Sequence, residues 1–227
     1  LTFHQYLKLH NFSMNISIKQ ISYILNKSDF TAKVAISLKA SGDIIIPHII
    51  TYKNQEYIVN GINPSSFRKN LKIKSIEISE DSEIKSISKE AFAQSSIKSI
   101  SIPKSVTFIG EFAFFGCKNL TTVKLHEDSQ LCVIERYAFT ESHIETIKIP
   151  TKVEYIGDFT FSNCRNLRSI EFPADSNLKA ICKNVFAQSS IEKVSIPSKV
   201  HSIFEYAFYQ CKSLKTVDFS DDSELHS

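Results

Sequence analysis

Ile97-Lys98-Ser99-Ile100-Ser101-Ile102-Pro103 returns as Ile144-Glu145-Thr146-Ile147-Lys148-Ile149-Pro150 and again as Ile191-Glu192-Lys193-Val194-Ser195-Ile196-Pro197, each copy 47 residues after the last. A second kind of segment, Leu120-Thr121-Thr122-Val123-Lys124-Leu125, recurs at 167–172 and 214–219, with a first copy at 73–78. Between these segments run phenylalanines at fixed phase, Phe67, Phe92, Phe114, Phe139, Phe161, Phe186 and Phe208, separated by 25 and 22 residues in turn. Two unlike repeats therefore make one unit. A period of roughly 20–29 residues around an L-x-x-L-x-L core marks a leucine-rich repeat, in which each coil adds one short strand to a continuous parallel sheet. Seven such strands are counted.

Within each strand apolar and polar residues alternate, so Ile100 and Ile102 point inward and Ser101 outward. Pro103, Pro150 and Pro197 then end the strand, because proline offers no ladder donor. A second apolar pair, Val106 with Ile109 or Leu131 with Ile134, leads to the Ala-Phe anchor. One Phe per coil predicts a stacked aromatic ladder, each buried ring contributing roughly 1.5–3 kcal/mol. Ala91, Ala113, Ala138 and Ala207 precede the anchor where coils approach; Thr160 and Val185 stand there in two coils, which are expected to be slightly splayed or repacked.

The expected architecture is a right-handed repeat solenoid, α/β or mostly β, with alternating 22- and 25-residue coils over 61–227. Residues 1–60 lack the period. Apolar runs at 23–25, 31–38, 44–50 and 57–59, split by turn signals such as Asn26-Lys27-Ser28-Asp29 and Gly42, read as a β-rich cap. A first coil left bare would expose core and sheet edge, so a cap is physically required. Asp221-Asp222-Ser223-Glu224-Leu225 reads as the opening of another coil, so the solenoid is expected to continue.

Composition narrows the function. With 27 basic and 24 acidic residues scattered through the chain, no basic stripe tracks a phosphate backbone, and no nucleic-acid partner is expected. No run of 18 apolar residues is present, so no transmembrane helix is expected. Five glycines and the lack of G-x-S-x-G, H-E-x-x-H or phosphate-loop motifs argue against an enzyme. No cofactor and no metal site is expected.

The motif Ile-Pro-x-x-Val-x-x-Ile-x-x-x-Ala-Phe-x-x-Cys-x-x-Leu-x-x-Val resembles the BspA-like leucine-rich-repeat proteins over roughly residues 62–227. The cap, with Tyr23-Ile24-Leu25 and Gln55-Glu56-Tyr57-Ile58-Val59, looks like the N-terminal region of the trichomonad surface-antigen members. That resemblance implies a non-enzymatic protein displayed on the cell surface or secreted. Its partners would be proteins, host matrix or cell-surface proteins among them. An intracellular scaffold gripping a regulatory protein, and arrays packing side by side, are the alternatives.

Two surfaces are candidates for binding. The outward positions of the main sheet, Glu77, Ser101, Lys124, Lys148, Glu171, Ser195 and Asp218, form the usual contact face of such solenoids, but they also read as a solvated polar face. Phe112, Tyr137, Phe159 and Tyr206 stand two residues before an anchor Phe and form either an aromatic interface row or filling between coils. Cys117, Cys164 and Cys211 lie about two coils apart, too far for disulfides between equivalent positions, and read as buried thiols. Asp-Ser pairs at 81–82, 128–129, 175–176 and 222–223 read as turn chemistry, with a calcium site as the sharper alternative. Sequons at Asn11, Asn15, Asn26 and Asn119 are weakly consistent with export, although Asn119 is expected to begin a buried strand.

Overall fold

A computed structural model describes residues 13–225, and among them there is no helix. The α/β option gives way to an all-β solenoid, because the segments closing each coil are turns. Each complete coil has a long strand, a turn, a short strand and a wider turn that carries the anchor Phe. The long strands are Ile73–Ile78, Ser99–Ile102, Thr122–Leu125, Thr146–Lys148, Ser169–Glu171, Lys193–Ile196 and Thr216–Phe219. The short ones are Ser86–Ile87, Phe108–Ile109, Val133–Ile134, Tyr155–Ile156, Ala180–Ile181 and Ser202–Ile203.

Pairing between coils is parallel throughout. On the short ladder Phe108 lies opposite Ser86, 22 residues before it, and Val133, 25 after it. On the long ladder Ser99 lies opposite Ser75, 24 before, and Thr122, 23 after. With Gly42–Ile46 of the N-terminal region as a first rung, the seven long strands form two four-stranded sheets, separated between Thr122–Leu125 and Thr146–Lys148. The wide turns are linked as well, since the anchor amide of one coil donates to the carbonyl of the residue before the next anchor: Phe67 to Ala91 at 2.7 Å, Phe92 to Ala113 at 2.8 Å, Phe114 to Ala138 at 2.7 Å. Three backbone ladders thus satisfy most main-chain groups while each coil turns its apolar side chains inward.

The interior is the phenylalanine ladder. Consecutive rings from Phe67 to Phe139 stack at 5.0–5.2 Å, nearly parallel. The spacing widens to 5.5 Å at Phe161 and 5.9 Å at Phe186, the two coils where Thr160 and Val185 replace alanine. Thr160 turns its hydroxyl to the Gly157 carbonyl at 2.7 Å and the Glu135 carbonyl at 3.1 Å, so its polar atom is satisfied in a buried site.

The N-terminal region comprises β1 (Ser13–Ile18), β2 (Ile21–Asn26), β3 (Thr31–Val34), β4 (Gly42–Ile46), β5 (Ile49–Tyr52) and β6 (Gln55–Ile62). The first three strands are an antiparallel meander, and β3 joins β6 in parallel. The region also supplies the first rung of both solenoid ladders: β4 pairs with Ile73–Ile78, and Ile62 of β6 pairs with Ile87. The details differ from the sequence expectation. The run at 44–50 breaks into β4 and β5 at Pro47-His48, β3 stops at Val34, leaving Ile36 and Leu38 exposed, and β1 was not anticipated. Buried Asn70 fastens this region to the first coil: its amide donates to the Ser37 and Ala40 carbonyls, both at 3.0 Å, and its oxygen accepts from the amides of Lys72 and Ile73.

Candidate functional site

Repetition turns each sequence position into a column along the solenoid. The outward sheet residues form one such column in two parts. Glu77, Ser101 and Lys124 are register partners in the first sheet; Lys148 faces Glu171, and Ser195 faces Asp218, in the second. Beside the second part, Lys193 reaches Asp218 at 2.7 Å and Lys215 reaches Glu192 at 3.5 Å. Exposed pairs of this kind contribute about 0–1 kcal/mol and leave a polar, well solvated surface.

The aromatic column is of another nature. Phe112, Tyr137 and Phe159 are partly buried and stack at 4.8 and 4.9 Å, tilted by less than ten degrees. Phe115 meets Phe112 edge-on at 5.6 Å, and the Lys89 ammonium lies 5.9 Å from the Phe112 ring. Asn184 takes the same position in the next coil and interrupts the stack, so Tyr206 stands apart, 59% exposed, with Tyr209 edge-on at 5.7 Å. The backbone at every one of these positions is left-handed, with φ of 56° at Phe112, 60° at Tyr137, 59° at Phe159 and 60° at Tyr206. The wide turn has a second left-handed residue four positions later, such as Gly116, Glu141 and Asn163. Asn184 (φ 53°) is the type that tolerates this conformation, whereas bulky side chains there are outliers that cost of order 1 kcal/mol or more.

One residue before each left-handed position lies a column that sequence reading missed: Lys89, Glu111, Arg136, Asp158, Lys183 and Glu205 alternate in sign from coil to coil. Glu111 bridges Lys89 and Arg136, both at 2.7 Å, and Lys183 reaches Glu205 at 3.1 Å. The Lys89 hydrogen bond is the main cause holding the Glu111 carboxyl below its ordinary range. The signal was present at three residues before each anchor from Phe92 to Phe208. It escaped notice because alternating charges look like an even scatter until the coils are aligned.

The cysteines and Asp-Ser pairs have structural roles. All five cysteines are free thiols. Cys117, Cys164 and Cys211 donate to the carbonyls of Phe92, Phe139 and Phe186 one coil earlier, at 3.0, 3.1 and 3.0 Å. Burial pushes Cys117 up from 9.0 to about 11 and Cys164 up to about 12. A raised thiol pKa means that the folded state holds its proton longer than the unfolded chain does. The stabilisation is therefore complete below pH 9 and fades as pH climbs toward 11–12. Thermal unfolding should stay level to about pH 9 and then fall. In native protein at pH 8, iodoacetamide mapped by mass spectrometry should spare Cys117 and Cys164 while modifying the partly exposed Cys132 and Cys211. Rapid labelling of Cys164 would contradict this. The serines of the Asp-Ser pairs close turns, their hydroxyls accepting from the amides of Ile84, Leu131, Leu178 and Leu225 at 3.1–3.3 Å. Asn11 lies outside the described residues, and Asn119 is exposed on a turn rather than opening a buried strand.

A family model described as the BspA type leucine rich repeat region, in six copies, matches residues 49–132 and 132–226. Among solved structures the chain is similar to a leucine-rich repeat protein from Bacteroides ovatus, at 27% identity and TM-score 0.77, over 92% of this chain and 54% of that one. It is also similar to the pneumococcal vaccine antigen PcpA, at 25% identity and TM-score 0.64, over 94% of this chain and 51% of that one. A leucine rich cell surface protein from Faecalibacterium prausnitzii shares the fold at 24% identity and TM-score 0.63, over 93% and 55%. The chain thus spans about half the length of the solved structures it matches. No curated protein matches it. Among the described residues no helix is long and apolar enough to cross a membrane.

Proposed function

We propose, from the premise that the chain belongs to the BspA-type leucine-rich-repeat family of generally non-enzymatic, protein-binding scaffolds, that it is a surface-displayed adhesion or recognition protein whose aromatic column makes the central contact. The carrying observation is Phe112, Tyr137 and Phe159 stacked on left-handed backbone. Strain held by bulky residues at positions that asparagine fills more easily points to a role outside folding. Aromatic side chains bring large contact area at little entropy cost and are favoured at the centres of protein interfaces. The charge column beside them would orient a partner, and the sheet face from Glu77 to Asp218 would form a weaker, polar flank. Similarity to a vaccine antigen supports display outside the cell.

The test substitutes Phe112→Asn, Tyr137→Asn and Phe159→Asn together. The parent protein should be retained by a panel of immobilised extracellular-matrix proteins or by host-type cells, and the variant should lose about tenfold or more in affinity for the same target. Unchanged retention would overturn the aromatic assignment. The free thiols of all five cysteines favour a second reading, an intracellular scaffold in a reducing compartment. Labelling intact cells with a membrane-impermeant amine reagent separates the two, since only a displayed protein is modified.

A further inference from the structure

Two clefts, of about 520 and 470 Å³, open where the chain leaves the long strands, on a different edge from the aromatic column. They are one feature repeated 47 residues apart. The first has Ile149-Pro150 as its floor, with Leu125 and Glu127 on one wall and Pro173 on the other. The second has Ile196-Pro197 as its floor, with Phe172 and Ala174 facing Ser220. Their origin is the alternating length of the turn after the long strand. Two residues more separate the inward Val123 from Ile134 than separate Ile147 from Ile156, so every second turn stands out as a ridge over its neighbour. Leu125 and Phe172 at the ridges are only partly buried, whereas the matching Ile102, Ile149 and Ile196 of the low turns are at most 3% exposed. Each cleft therefore shows solvent an apolar wall that the core does not close.

The ridges at 79–83, 126–130, 173–177 and 220–224 contain nine Asp and Glu residues and no Lys or Arg. Lysines of the low turns do not neutralise them. Lys152 bonds the Gln130 amide oxygen at 2.5 Å and Lys199 that of Asn177 at 2.7 Å, bracing ridge against floor. The Asp81 carboxylate contacts His48 at 3.2 Å and that of Asp175 accepts from the Thr151 hydroxyl at 3.2 Å, but among the described residues no ridge carboxylate pairs with a Lys or Arg.

We propose that this ridged edge is a docking groove for an extended, cationic peptide segment lying along the solenoid axis. Apolar residues three apart would seat in successive clefts, and basic residues between them would meet the ridge carboxylates. Clefts two coils apart repeat at about 10 Å, given a strand spacing of about 4.8 Å. A polyproline II segment returns to the same face every third residue, after about 9.3 Å. A flat β-strand fits less well, because its residues i and i+3 face opposite sides. The inference rests on the reading of the chain as a protein-binding solenoid.

The probe is a fluorescent Leu-Pro-Lys repeat peptide of four units, read by anisotropy at low salt against the whole chain. Two controls carry Leu-Pro-Glu units or leucines every fourth residue. The lysine peptide should bind saturably and at least about tenfold more tightly than either control, and affinity should fall as salt screens the carboxylates. Ala174→Trp, at an exposed wall position, should fill the second cleft and weaken binding several-fold with thermal stability kept. No saturable binding, equal binding of the lysine and glutamate peptides, or indifference to Ala174→Trp would overturn the proposal. Because the aromatic Asn variants and the labelling of intact cells do not touch this edge, failure here is distinguishable from failure of the surface-recognition reading.

Discussion

Phe139→Ala should be the most damaging single substitution in the solenoid, removing about 3–5 kcal/mol of stability. The Phe139 ring is fully buried and lies between Phe114 at 5.0 Å and Phe161 at 5.5 Å, so truncation leaves a cavity lined by two rings that backbone ladders hold at fixed spacing. Coils held on three sides by hydrogen bonds cannot collapse into that space. In a structure whose stability is approximately a sum of coil and neighbour terms, loss of one central contact pair also uncouples the two halves. Urea unfolding followed by circular dichroism should show an earlier and broader transition. Phe208→Ala, where the ring is only partly buried in this chain, should cost clearly less. Equal losses at the two sites would mean that the ring ladder is not what couples the coils.

Gly157→Ala should follow closely, at about 3 kcal/mol, by overpacking rather than by cavity formation. A β-carbon at Gly157 would lie 2.5 Å from the Arg136 amide nitrogen and 2.9 Å from its α-carbon. Backbone cannot yield there, because the Gly157 amide donates to the Ile134 carbonyl at 2.8 Å and fixes the separation of the two coils. Gly110, one unit earlier, is equally confined against Lys89. Phe204 takes the same place one unit after Gly157, where the Phe208 ring tilts by 20°, the largest tilt in the ladder among the described residues. The tilt accompanies a side chain at that place, whereas the Phe114 and Phe161 rings, in the coils of Gly110 and Gly157, stay nearly parallel to the rings before them. Gly61→Ala is the matched control, since its β-carbon would meet only the flexible Lys33 side chain, and thermal unfolding should show little change. A loss at Gly61 as large as at Gly157 would sink the argument.

What the sequence made legible was what repeats. The anchor phenylalanines, the Ile-Pro strand ends and the Asp-Ser turns each recur at one phase, and each has one physical role there. The fold followed from those columns. The left-handed backbone at Phe112 and Tyr137 was not legible, because only glycine and asparagine announce that conformation and the column holds Ser, Glu, Phe, Tyr and Asn. The non-periodic region was half legible: local alternation located most of its strands, but the parallel pairings of β3 with β6 and of β4 with the first coil join distant segments that no local pattern marks. Of the two candidate surfaces, sequence gave the membership of each column but not its character. Only the geometry separated a solvated polar sheet face from aromatic rings held in strained backbone.

Whether the aromatic column serves recognition and not folding is decided by thermal unfolding of the combined Phe112→Asn, Tyr137→Asn and Phe159→Asn protein. Each lost stacking contact removes about 0.5–1.5 kcal/mol, while asparagine, which tolerates the left-handed backbone as Asn184 does, relieves part of a strain of about 1–2 kcal/mol per residue. With a recognition role the melting temperature stays within about 3 °C of the parent, or rises above it. A fall of about 10 °C or more would show that the rings hold the coils together and would contradict that role.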